Sequence, residues 1–530
     1  PEADAPPPTR DAAGPRISVL LAVKDPDPSW LAAAFASLAS QTYRNVQLCL
    51  ADDGCRDPEV RELLALAARQ PDTILVESDA PGGISCALNA ALRVAEGEWI
   101  AVLDHDDTLA PHALEWIAHT AREVPDADLI YSDEDKLDLE GNRTEPFFKP
   151  DWSPHYLLSI NYLCHLTALR RELVEELGGF RSAYDGAQDY DLFLRAAPRA
   201  RRIEHVPRLL YHWRKVPGST AASLRNKGYA REAGRAALAD ALPAWGLSDA
   251  RVELVPHSAG YRVRPALGDE RVCVIVPTRD RLDLLEPCLE SVARTRYAAR
   301  ELLVVDNGSR EGATLAYLER EEQAGRLRRL RIDLPFNFGH LVNQAVATTD
   351  AEWVLALNND VVLHDPEWLE AMLEAAHLPG VGVVGAQLRY PDGTLQHAGV
   401  VLGDGGPAAH AFLGLRPGEP TPGGRLGLIS NFSAVTGACL LIRRSLYLEL
   451  GGLDEEGLAN SYGDVDLCLR VLERGLYCVC TPFAVGTHHE GASRGRRANE
   501  PAEDVLWERH PERIARDPYA SPHRSLVHGG

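Results

Sequence analysis

The chain has 530 residues, of which 45% are hydrophobic and 25% charged, a composition typical of globular proteins with a sizeable core. The formal net charge of -22 argues against a protein that binds nucleic acid through a basic face. No apolar run is long enough for a transmembrane helix, and the cysteines are scattered. The sequence therefore predicts a cytoplasmic protein, with peripheral association with the inner face of the cell membrane left open.

Two long parts of the chain repeat one pattern. Residues 16–25 (RISVLLAVKD) correspond to residues 271–280 (RVCVIVPTRD), and residues 102–107 correspond to residues 356–361. The spacing between matching positions is constant up to residues 387–432, where the second copy carries a Gly/Pro-rich insertion. A repeat of this length indicates duplication of a whole domain, because solenoid repeats are much shorter.

The repeat and the polar stretch at residues 265–270 predict the domain organisation. Each end of the chain has a polar segment that lies outside the repeated pattern. The predicted parts are a flexible arm (1–15), a first domain (16–264), a second domain (271–511) and a polar tail (512–530).

Within each copy, short apolar runs alternate with helical patterns. The runs ISVLLAV and VCVIVP are continuous, which is typical of strands buried on both faces. Helices are predicted over residues 30–39, 85–95 and 284–294. This alternation predicts an α/β fold with a mostly parallel sheet, whose ligands bind beyond the carboxyl ends of the strands.

An acidic triplet follows a predicted strand in the first copy. Asp104 and Asp106 flank His105, and the second copy has Asn358 and Asp360 at the matching positions. One or two carboxylates together with substrate phosphates are a common site for Mg²⁺ or Mn²⁺. Only Asp360 is charged in the second copy, so we expect weaker metal binding there. The alternative is a solvated turn that caps the next helix.

A second acidic position follows the preceding strand in each copy. It consists of Asp52 and Asp53 before a glycine, and of Asp306 and Asn307 before a glycine. A carboxylate at a strand end can accept the imide N–H of a uracil-type or thymine-type base. The alternative is turn formation alone, because Asp-Gly and Asn-Gly favour turns.

A third acidic position begins a helical pattern late in each copy. Asp189 and Asp464 occupy matching positions, each followed two residues later by another acid, Asp191 or Asp466. A carboxylate close to a substrate hydroxyl can act as a general base. The alternative is that these acids only cap the helix and interact with its dipole.

Late histidines complete each copy. His212 follows Asp189, and His488 and His489 follow Asp464 at a similar distance, with Arg214 and Arg494 nearby. Histidine can add a metal ligand, and arginine can hold diphosphate oxygens through two hydrogen bonds. The sequence leaves open which of His488 and His489 faces the site. A structural histidine with solvated arginines is the alternative.

With these motifs in order, each half resembles the GT-A glycosyltransferases of inverting family 2. The resemblance extends along nearly the whole of each repeat and includes GAQDYDLFLR in the first copy and TGACLLIRR in the second. It points to bacterial surface-polysaccharide enzymes, including rhamnosyltransferase-like members. It implies two tandem GT-A, Rossmann-like domains that transfer sugars from UDP-, dTDP- or GDP-sugars to a glycan or lipid-linked glycan, with Mn²⁺ or Mg²⁺.

The resemblance also implies a role for each motif residue. The acids at the third position would deprotonate the acceptor, and the other motif residues would bind the donor and the metal. The implied general bases are Asp189 and Asp464; the donor-binding residues are Asp52, Asp53, Asp104, Asp306, Asn358, Arg214 and Arg494; the metal ligands are Asp104, Asp106, Asp360, His212, His488 and His489.

Other functional classes fit less well. A haloacid dehalogenase-type phosphatase needs its D-x-D-x-T motif after the first strand, whereas Asp104 to Thr108 follow at least three predicted strands. The chain lacks the P-loop pattern of kinases. A GxGxxG string occurs at residues 380–385, late in the second copy, whereas dinucleotide enzymes carry this pattern directly after the first strand of the domain. One alternative stays open: the first half is active, and the second half, with Asn307 and Asn358, is a glycan-binding or structural domain.

Overall fold

A computed structural model describes residues 4–7, 14–78, 81–215, 228–489, 500–523 and 525–527. The chain divides into two compact units. The first unit consists of Pro1–Trp152, Ile160–Ser248 and Val252–Arg262, and the second of Ser153–Ser159, Asp249–Arg251 and Val263–Gly530. The predicted domain limits at residues 264 and 271 remain predictions.

The described residues of the first unit contain a nine-stranded sheet. Its strands are β1 (Ile17–Val23), β2 (Val46–Asp52), β3 (Thr73–Glu77), β4 (Trp99–Val102), β5 (Thr108–Leu109), β6 (Leu129–Leu137), β7 (Arg143–Phe147), β8 (Thr167–Arg170) and β9 (Ile203–Arg214). The strand order is β3-β2-β1-β4-β8-β6-β9-β5, with β7 beside β6. The first four strands run parallel, and antiparallel β8 joins them to the parallel pair β6 and β9.

Eight described α-helices lie between residues 28 and 241. They are α1 (Pro28–Ala39), α2 (Pro58–Ala67), α3 (Ile84–Arg93), α4 (Ala113–Glu123), α5 (Pro154–Leu157), α6 (Arg171–Glu176), α7 (Gln188–Ala196) and α8 (Gly228–Ala241), and α5 among them belongs to the second unit. Helix α1 begins two residues earlier than predicted, because Asp27 caps it and Pro28 occupies its first turn. Strand β1 is buried and packs with Leu31 of α1 and Leu114 of α4.

The described part of the second unit contains a ten-stranded sheet and a separate strand pair. The strands from residue 251 onward are β10 (Arg251–Leu254), β11 (Tyr261–Arg264), β12 (Val272–Thr278), β13 (Arg300–Asp306), β14 (Arg328–Arg331), β15 (Trp353–Leu357), β16 (Val361–Leu363), β17 (Val381–Arg389), β18 (Leu395–His397), β19 (Val400–Leu402), β20 (Ala408–His410), β21 (Ser430–Phe432), β22 (Cys439–Arg443) and β23 (Tyr477–His488). Strands β10 and β11 pair only with each other in the described sheets.

The strand order of the second sheet repeats that of the first. It runs β14-β13-β12-β15-β22-β17-β23-β16, position for position the same as the first sheet. The later helices are α9 (Leu282–Ala293), α10 (Gly312–Gln323), α11 (Phe338–Ala347), α12 (Trp368–Ala376), α13 (Arg444–Glu449), α14 (Gly463–Glu473), α15 (Glu500–Arg509) and α16 (Pro511–Ala515). The predicted fold class, two tandem α/β domains related by duplication, is therefore confirmed.

The predicted insertion at residues 387–432 contains short strands. Strand β18 pairs with β17, β19 and β20 pair with each other, and β21 pairs with β23. Because β18 has the same place beside β17 that β7 has beside β6, the strands of this region without a counterpart in the first described sheet are β19, β20 and β21.

Parts of the predicted arm and tail are packed against the units. The indole N–H of Trp116 donates a hydrogen bond of 2.8 Å to the carbonyl of Ala5. Near the other end, Ile514 and Tyr519 are buried. Among the described helices, none combines the length and apolar character needed to cross a bilayer.

All ten cysteines are free thiols. Cys86 in α3 is exposed and Cys164 is half-buried, whereas the other eight are buried. Burial raises the pKa of Cys49 and Cys55 to about 12. Buried thiols of this kind are poor nucleophiles, because the thiolate is the reactive form.

Candidate active sites

The predicted acids lie where the parallel strands end. Asp52 closes β2, and Asp104 follows β4, on either side of the central strand β1. In the second unit Asp306 closes β13 and Asn358 follows β15. Because parallel strands end at one edge of a sheet, the duplicated topology places matching side chains at the same edge in each unit.

In the first unit, a buried carboxylate fixes the acidic turn. Asp107 is fully buried, and its two oxygens accept hydrogen bonds from the Tyr211 hydroxyl (2.6 Å) and the Arg214 backbone N–H (2.7 Å). Burial and the nearby carboxylates of Asp106 and Asp104 raise the pKa of Asp107 well above its usual range. Asp107 thus anchors the turn, while the side chains of Asp104 and Asp106 stay partly exposed.

Arg214 supports the same turn. Its guanidinium Nε donates a hydrogen bond of 2.8 Å to the backbone carbonyl of Asp106, and the residue is buried. Binding of the nucleotide-sugar by Arg214 therefore remains a prediction. In the structure, the hydrogen bonds of Arg214 orient the acidic turn.

His165 is a site residue that the sequence motifs did not identify. Its Nε2 lies 3.8 Å from Asp104 Oδ2, and its ring stacks on Tyr211 at a centroid distance of 4.5 Å. Burial alone would lower its pKa, but the carboxylates of Glu134, Asp104 and Asp107 outweigh burial and raise the pKa to about 9. A positively charged imidazole therefore lies beside the acidic turn.

A buried lysine holds the loop that carries His165. The ammonium group of Lys149 donates hydrogen bonds to Glu134 Oε2 (3.1 Å) and to the backbone carbonyls of Leu163 (2.8 Å) and His165 (2.6 Å). The Glu134 carboxylate in turn accepts the His165 backbone N–H at 3.1 Å. A single buried ion pair thus fixes the loop, over a sequence separation that no short motif spans.

One cavity joins the acidic turn to the candidate base in the first unit. Asp104, His165 and Asp189 all line it. The amide of Asn161 donates a hydrogen bond of 2.8 Å to Asp189 Oδ2, which orients the carboxylate. The structure therefore brings together Asp104, a candidate metal ligand, and Asp189, a candidate general base, which are distant in sequence.

The acids two residues further along each helix have another role. Asp191 is fully buried and pairs with Arg195 at 2.8 Å, and Arg195 also donates to the carbonyls of Leu177 and Gly179 at 2.8 Å each. Asp466 and Arg470 repeat this arrangement in the second unit. These ion pairs fix the helices that carry Asp189 and Asp464, and neither Asp191 nor Asp466 is the cap residue of its helix.

His212 faces a different neighbour from the one predicted. Its Nδ1 lies 2.6 Å from Asp135 Oδ1. Neighbouring Tyr211 and Trp213 both contact the ring of His165. Because successive side chains of a strand point to opposite faces, His212 points away from His165 and the acidic turn. Its assignment as a metal ligand stays a prediction, and His165 is the histidine that lies next to Asp104.

In the first unit, both acids at the predicted nucleotide-base position, Asp52 and Asp53, make local hydrogen bonds. Asp52 Oδ1 accepts the backbone N–H of Cys55 at 2.7 Å. Asp53 accepts the backbone N–H groups of Gly82 (2.6 Å) and Gly83 (3.3 Å), just before α3. Gly83 has φ +87°, and a Cβ there would lie 2.6 Å from Asp185 Oδ2, so the loop needs glycine.

The matching position in the second unit has a different charge environment. Asp306 Oδ2 accepts hydrogen bonds from Arg329 and from Arg331 (2.9 Å), and Oδ1 accepts the Ser309 N–H (2.7 Å). Burial would raise the pKa of Asp306, but these donors outweigh it and lower the pKa. Asn307 donates to the carbonyls of residues 332 and 334 in the loop after β14 (2.9 and 2.8 Å), so it uses N–H groups where Asp53 uses oxygens.

The structure brings Asp360 and His488 together in the second unit. His488 Nε2 lies 3.2 Å from Asp360 Oδ1 and 3.4 Å from the Asn358 amide nitrogen. His488 Nδ1 lies 2.7 Å from Gln396 Oε1. His489 contributes its backbone N–H to the Asp360 carbonyl at 3.0 Å. Of the two histidines, His488 therefore places its imidazole beside Asp360. Arg494 lies outside the described residues.

A second cavity repeats the arrangement of the first. It is lined by Asn358, Thr436, Gly437 and Asp464, among others. Asp464 Oδ2 accepts the Gly437 backbone N–H at 2.6 Å, and Oδ1 accepts the Val465 backbone N–H at 2.9 Å. Both units thus place the residue that begins the acidic triplet and the acid of the late helix in one cavity.

Metal binding remains a prediction in both units, and each has candidate ligands. In the first unit these are the partly exposed carboxylates of Asp104 and Asp106, because both oxygens of Asp107 accept hydrogen bonds within the protein. In the second unit, Asp360 and His488 present oxygen and nitrogen 3.2 Å apart, a donor set suited to Mn²⁺.

Comparison with known proteins places the chain in a family. The model of "Glycosyl transferase family 2" matches residues 18–178 and 273–451, one segment in each unit and together more than half of the chain. The chain belongs to glycosyltransferase family 2. The predicted family is therefore confirmed.

Relatives of this family 2 glycosyltransferase include surface-polysaccharide proteins. An uncharacterized protein of Sinorhizobium fredii is 47% identical over 91% of this chain and 54% of its own length. O-antigen biosynthesis protein RfbC of Myxococcus xanthus is 39% identical over 97% of this chain and 40% of its own length. N-acetylglucosaminyl-diphospho-decaprenol L-rhamnosyltransferase of Mycobacterium tuberculosis is 30% identical over 40% of this chain and 74% of its own length. The chain thus spans about half the length of the first two relatives.

Proposed function

We propose that this chain carries two glycosyl-transfer sites, one in each unit, that pass sugars from nucleoside-diphosphate sugars to a growing bacterial surface glycan. The repeated cavity carries the proposal: Asp104 with Asp189 in the first unit, and Asn358 with Asp464 in the second. The names of the Myxococcus and Mycobacterium relatives support a surface glycan as the product.

In the proposed reaction, Asp189 or Asp464 removes the proton from an acceptor hydroxyl. The hydroxyl oxygen attacks the anomeric carbon of the donor sugar as the bond to the diphosphate oxygen breaks on the opposite side. The electron pair of that bond leaves with the nucleoside diphosphate, and the sugar configuration inverts. Hydrogen bonds from Asn161 in the first unit and from Gly437 in the second orient the two carboxylates for this step. A general base of this kind contributes roughly 10²–10⁴-fold to the rate.

Metal binding is assigned to the acidic triplets. Asp104 and Asp106 would hold Mn²⁺ or Mg²⁺ in the first unit, and Asp360 and His488 in the second. When bound, the cation offsets the negative charge that develops on the leaving diphosphate. In the first unit, the charged imidazole of His165 supplies a further positive group beside Asp104.

The two sites are proposed to prefer different nucleotide bases. Asp52 pairs across the sheet with Glu77, whereas the matching Asp306 pairs with Arg331. A carboxylate favours the imide N–H of a uracil-type or thymine-type base. Guanidinium groups favour carbonyl and ring-nitrogen acceptors such as those of guanine. The opposite charges beside the two carboxylates therefore favour different nucleotides at the two sites, and titration with UDP, dTDP and GDP distinguishes them.

The acceptor is proposed to be a glycan or lipid-linked glycan. Such an acceptor would bring the protein to the inner face of the cell membrane as a peripheral, cytoplasmic enzyme. With a net charge of -22, general electrostatic attraction to anionic lipids would not hold it there, so the acceptor itself would have to do so.

A second candidate function is a single active site in the first unit, with the second unit binding glycan. Asn358 favours this alternative, because it replaces the acid found at Asp104. The arginines on Asp306 favour it as well, since they neutralise a carboxylate that would otherwise contact the base.

Calorimetric titration with UDP, dTDP and GDP, each with and without Mn²⁺, tests the proposal without an acceptor. We expect two Mn²⁺-dependent sites, with Asp106→Asn removing one and Asp360→Asn the other. A single site that only Asp106→Asn removes would support the second candidate. Absence of binding by all three nucleotides would contradict both. Asp189→Asn and Asp464→Asn should keep nucleotide binding and lower sugar transfer at their own sites.

A further inference from the structure

Strand β18, which occupies in the second sheet the position that β7 has in the first, lies against the candidate site. Gln396 and His397 are consecutive residues of β18, and both are buried. Gln396 contacts His488, whereas His397 Nε2 accepts the backbone N–H of Thr436 at 3.4 Å. Thr436 precedes Gly437, whose N–H binds Asp464. The strand therefore contacts His488, a candidate metal ligand, and also the loop that binds Asp464, the candidate general base.

The hydrogen bonds of His488 determine where its proton lies. Gln396 Oε1, at 2.7 Å from Nδ1, can only accept, so Nδ1 carries the proton. The Asn358 amide nitrogen, at 3.4 Å from Nε2, is a donor, which agrees with a lone pair on Nε2. Nε2 faces Asp360 Oδ1 at 3.2 Å, so that a proton on Nε2 or a bound cation can lie between them.

Two acceptors that face each other at this distance need a positive group between them. A neutral imidazole nitrogen and a carboxylate oxygen repel each other unless a proton or a metal ion lies between them. Metal-binding histidines usually donate their other N–H to a fixed acceptor, which sets the tautomer and the ring orientation. Gln396 occupies that position for His488.

We propose that Gln396 is a positioning residue of the second site, which fixes the tautomer of His488 so that Nε2 and Asp360 together bind the divalent cation. The inference rests on the proposed function, because it requires a metal site in the second unit. It assigns a role to β18, which lies beside β17 as β7 lies beside β6 in the first sheet. Gln396 acts through His488 and is not itself a metal ligand.

Mn²⁺ titration followed by electron paramagnetic resonance tests this role. The full chain is used with Asp106→Asn as the parent, so that the second site dominates binding. Gln396→Leu removes the acceptor and should weaken Mn²⁺ binding by roughly 10–100-fold. Gln396→Glu keeps an acceptor and should bind Mn²⁺ at least as well as the parent.

Gln387→Leu is the matched control. Gln387 is also a buried glutamine in the insertion region, but its amide donates to the carbonyl of Leu426. Its replacement should leave Mn²⁺ affinity unchanged, which separates the role of Gln396 from a general loss of packing.

Two results would overturn the inference alone. One is parent-like Mn²⁺ affinity in Gln396→Leu while Asp360→Asn abolishes binding; the other is a loss in Gln396→Glu as large as in Gln396→Leu. Should Gln396→Leu fail to fold, Gln396→Glu decides, because a tenfold loss of affinity there contradicts the role of an acceptor. If Asp360→Asn kept full Mn²⁺ binding, the metal site of the proposed function would itself be wrong.

Discussion

At the scale of single residues, Asn358 is the main difference between the two acidic triplets. It provides an amide where the first unit has the Asp104 carboxylate, and its nitrogen lies 3.4 Å from His488 Nε2. Asn358→Asp adds a charged ligand and should strengthen Mn²⁺ binding at the second site about tenfold, since affinity rises with the number of charged ligands. Electron paramagnetic resonance of bound Mn²⁺ measures the change.

Asn359→Asp is the control for this prediction. Asn359 lies next to Asn358, and its amide donates a hydrogen bond of 2.9 Å to the Thr278 hydroxyl. Replacement there adds the same charge at a neighbouring position. Equal gains from the two substitutions would show that total charge, and not a new ligand, controls the affinity.

His205 makes the stability of the first unit depend on pH. Its two ring nitrogens lie 2.9 Å from Asp133 Oδ1 and 2.9 Å from Asp151 Oδ1. Burial would lower its pKa, but these carboxylates raise the pKa from 6.5 to about 8. Because the pKa rises on folding, the stabilisation is complete below pH 6.5 and is lost as the pH rises through 8.

His205→Gln should remove this part of the pH dependence. In urea unfolding at pH 6 and pH 9, the loss of stability across this range should be about 1–2 kcal/mol larger in the parent than in the variant, while His165, whose pKa is raised to about 9, contributes equally to both. The same slope in both proteins would mean that other groups control the titration.

Some site residues could not be predicted because their partners are distant in sequence. Asp104, Asp106, Asp189 and Asp464 follow recognisable strands or begin helices, so their positions were predictable. His165 depends on Lys149 and Glu134, which reach it from other elements. His488, and not His489, lies beside Asp360 because of strand pairing between β16 and β23, which single-sequence patterns do not determine.

At the scale of elements, α7 is held in place by a buried ion pair. Arg195 joins Asp191 to the carbonyls of Leu177 and Gly179. Arg195→Met leaves Asp191 with Arg181 as its remaining cationic partner and should lower the free energy of unfolding by about 3 kcal/mol. Denaturant unfolding of the full chain measures this loss.

An exposed pair in the same unit provides the comparison. Arg235 and Glu232 pair on the surface of α8, with side chains 41% and 56% exposed. Arg235→Met should therefore change the free energy of unfolding by less than about 1 kcal/mol. Similar losses in the two variants would contradict the role of burial at Arg195.

The elements themselves were largely predictable, whereas the short strands within residues 387–432 were not. Continuous apolar runs identified β1 and β12, because strands covered on both faces have no polar side. Strands β18, β19 and β20 have only three residues each, and the pairing of β18 with β17 depends on the sheet already in place. Gln396 could not be recognised before that pairing was known.

At the scale of the whole molecule, the compact units do not follow the repeat boundaries. Ser153–Ser159 lies within the first copy of the sequence but belongs to the second unit. In that unit Tyr156 is fully buried, and its hydroxyl donates a hydrogen bond of 2.7 Å to the Gly423 carbonyl. Tyr156→Ala should therefore destabilise the second unit, by about 3–5 kcal/mol if it resembles other large-to-small core substitutions.

Amide hydrogen exchange locates the effect of this substitution. In Tyr156→Ala, exchange should quicken in residues 422–432, while β1 of the first unit keeps its protection. Tyr162→Ala is the matched control, because Tyr162 is buried in the first unit against Tyr131. Faster exchange in β1, with residues 422–432 unchanged in Tyr156→Ala, would contradict the assignment of this segment.

The uneven exposure of the cysteines has a practical consequence. Cys86 is the one exposed thiol of the ten, and it lies in α3, directly after the glycine loop that binds Asp53. A maleimide dye should therefore attach preferentially at this position in the unmodified sequence. Its fluorescence would report nucleotide binding at the first site while the second site stays unlabelled.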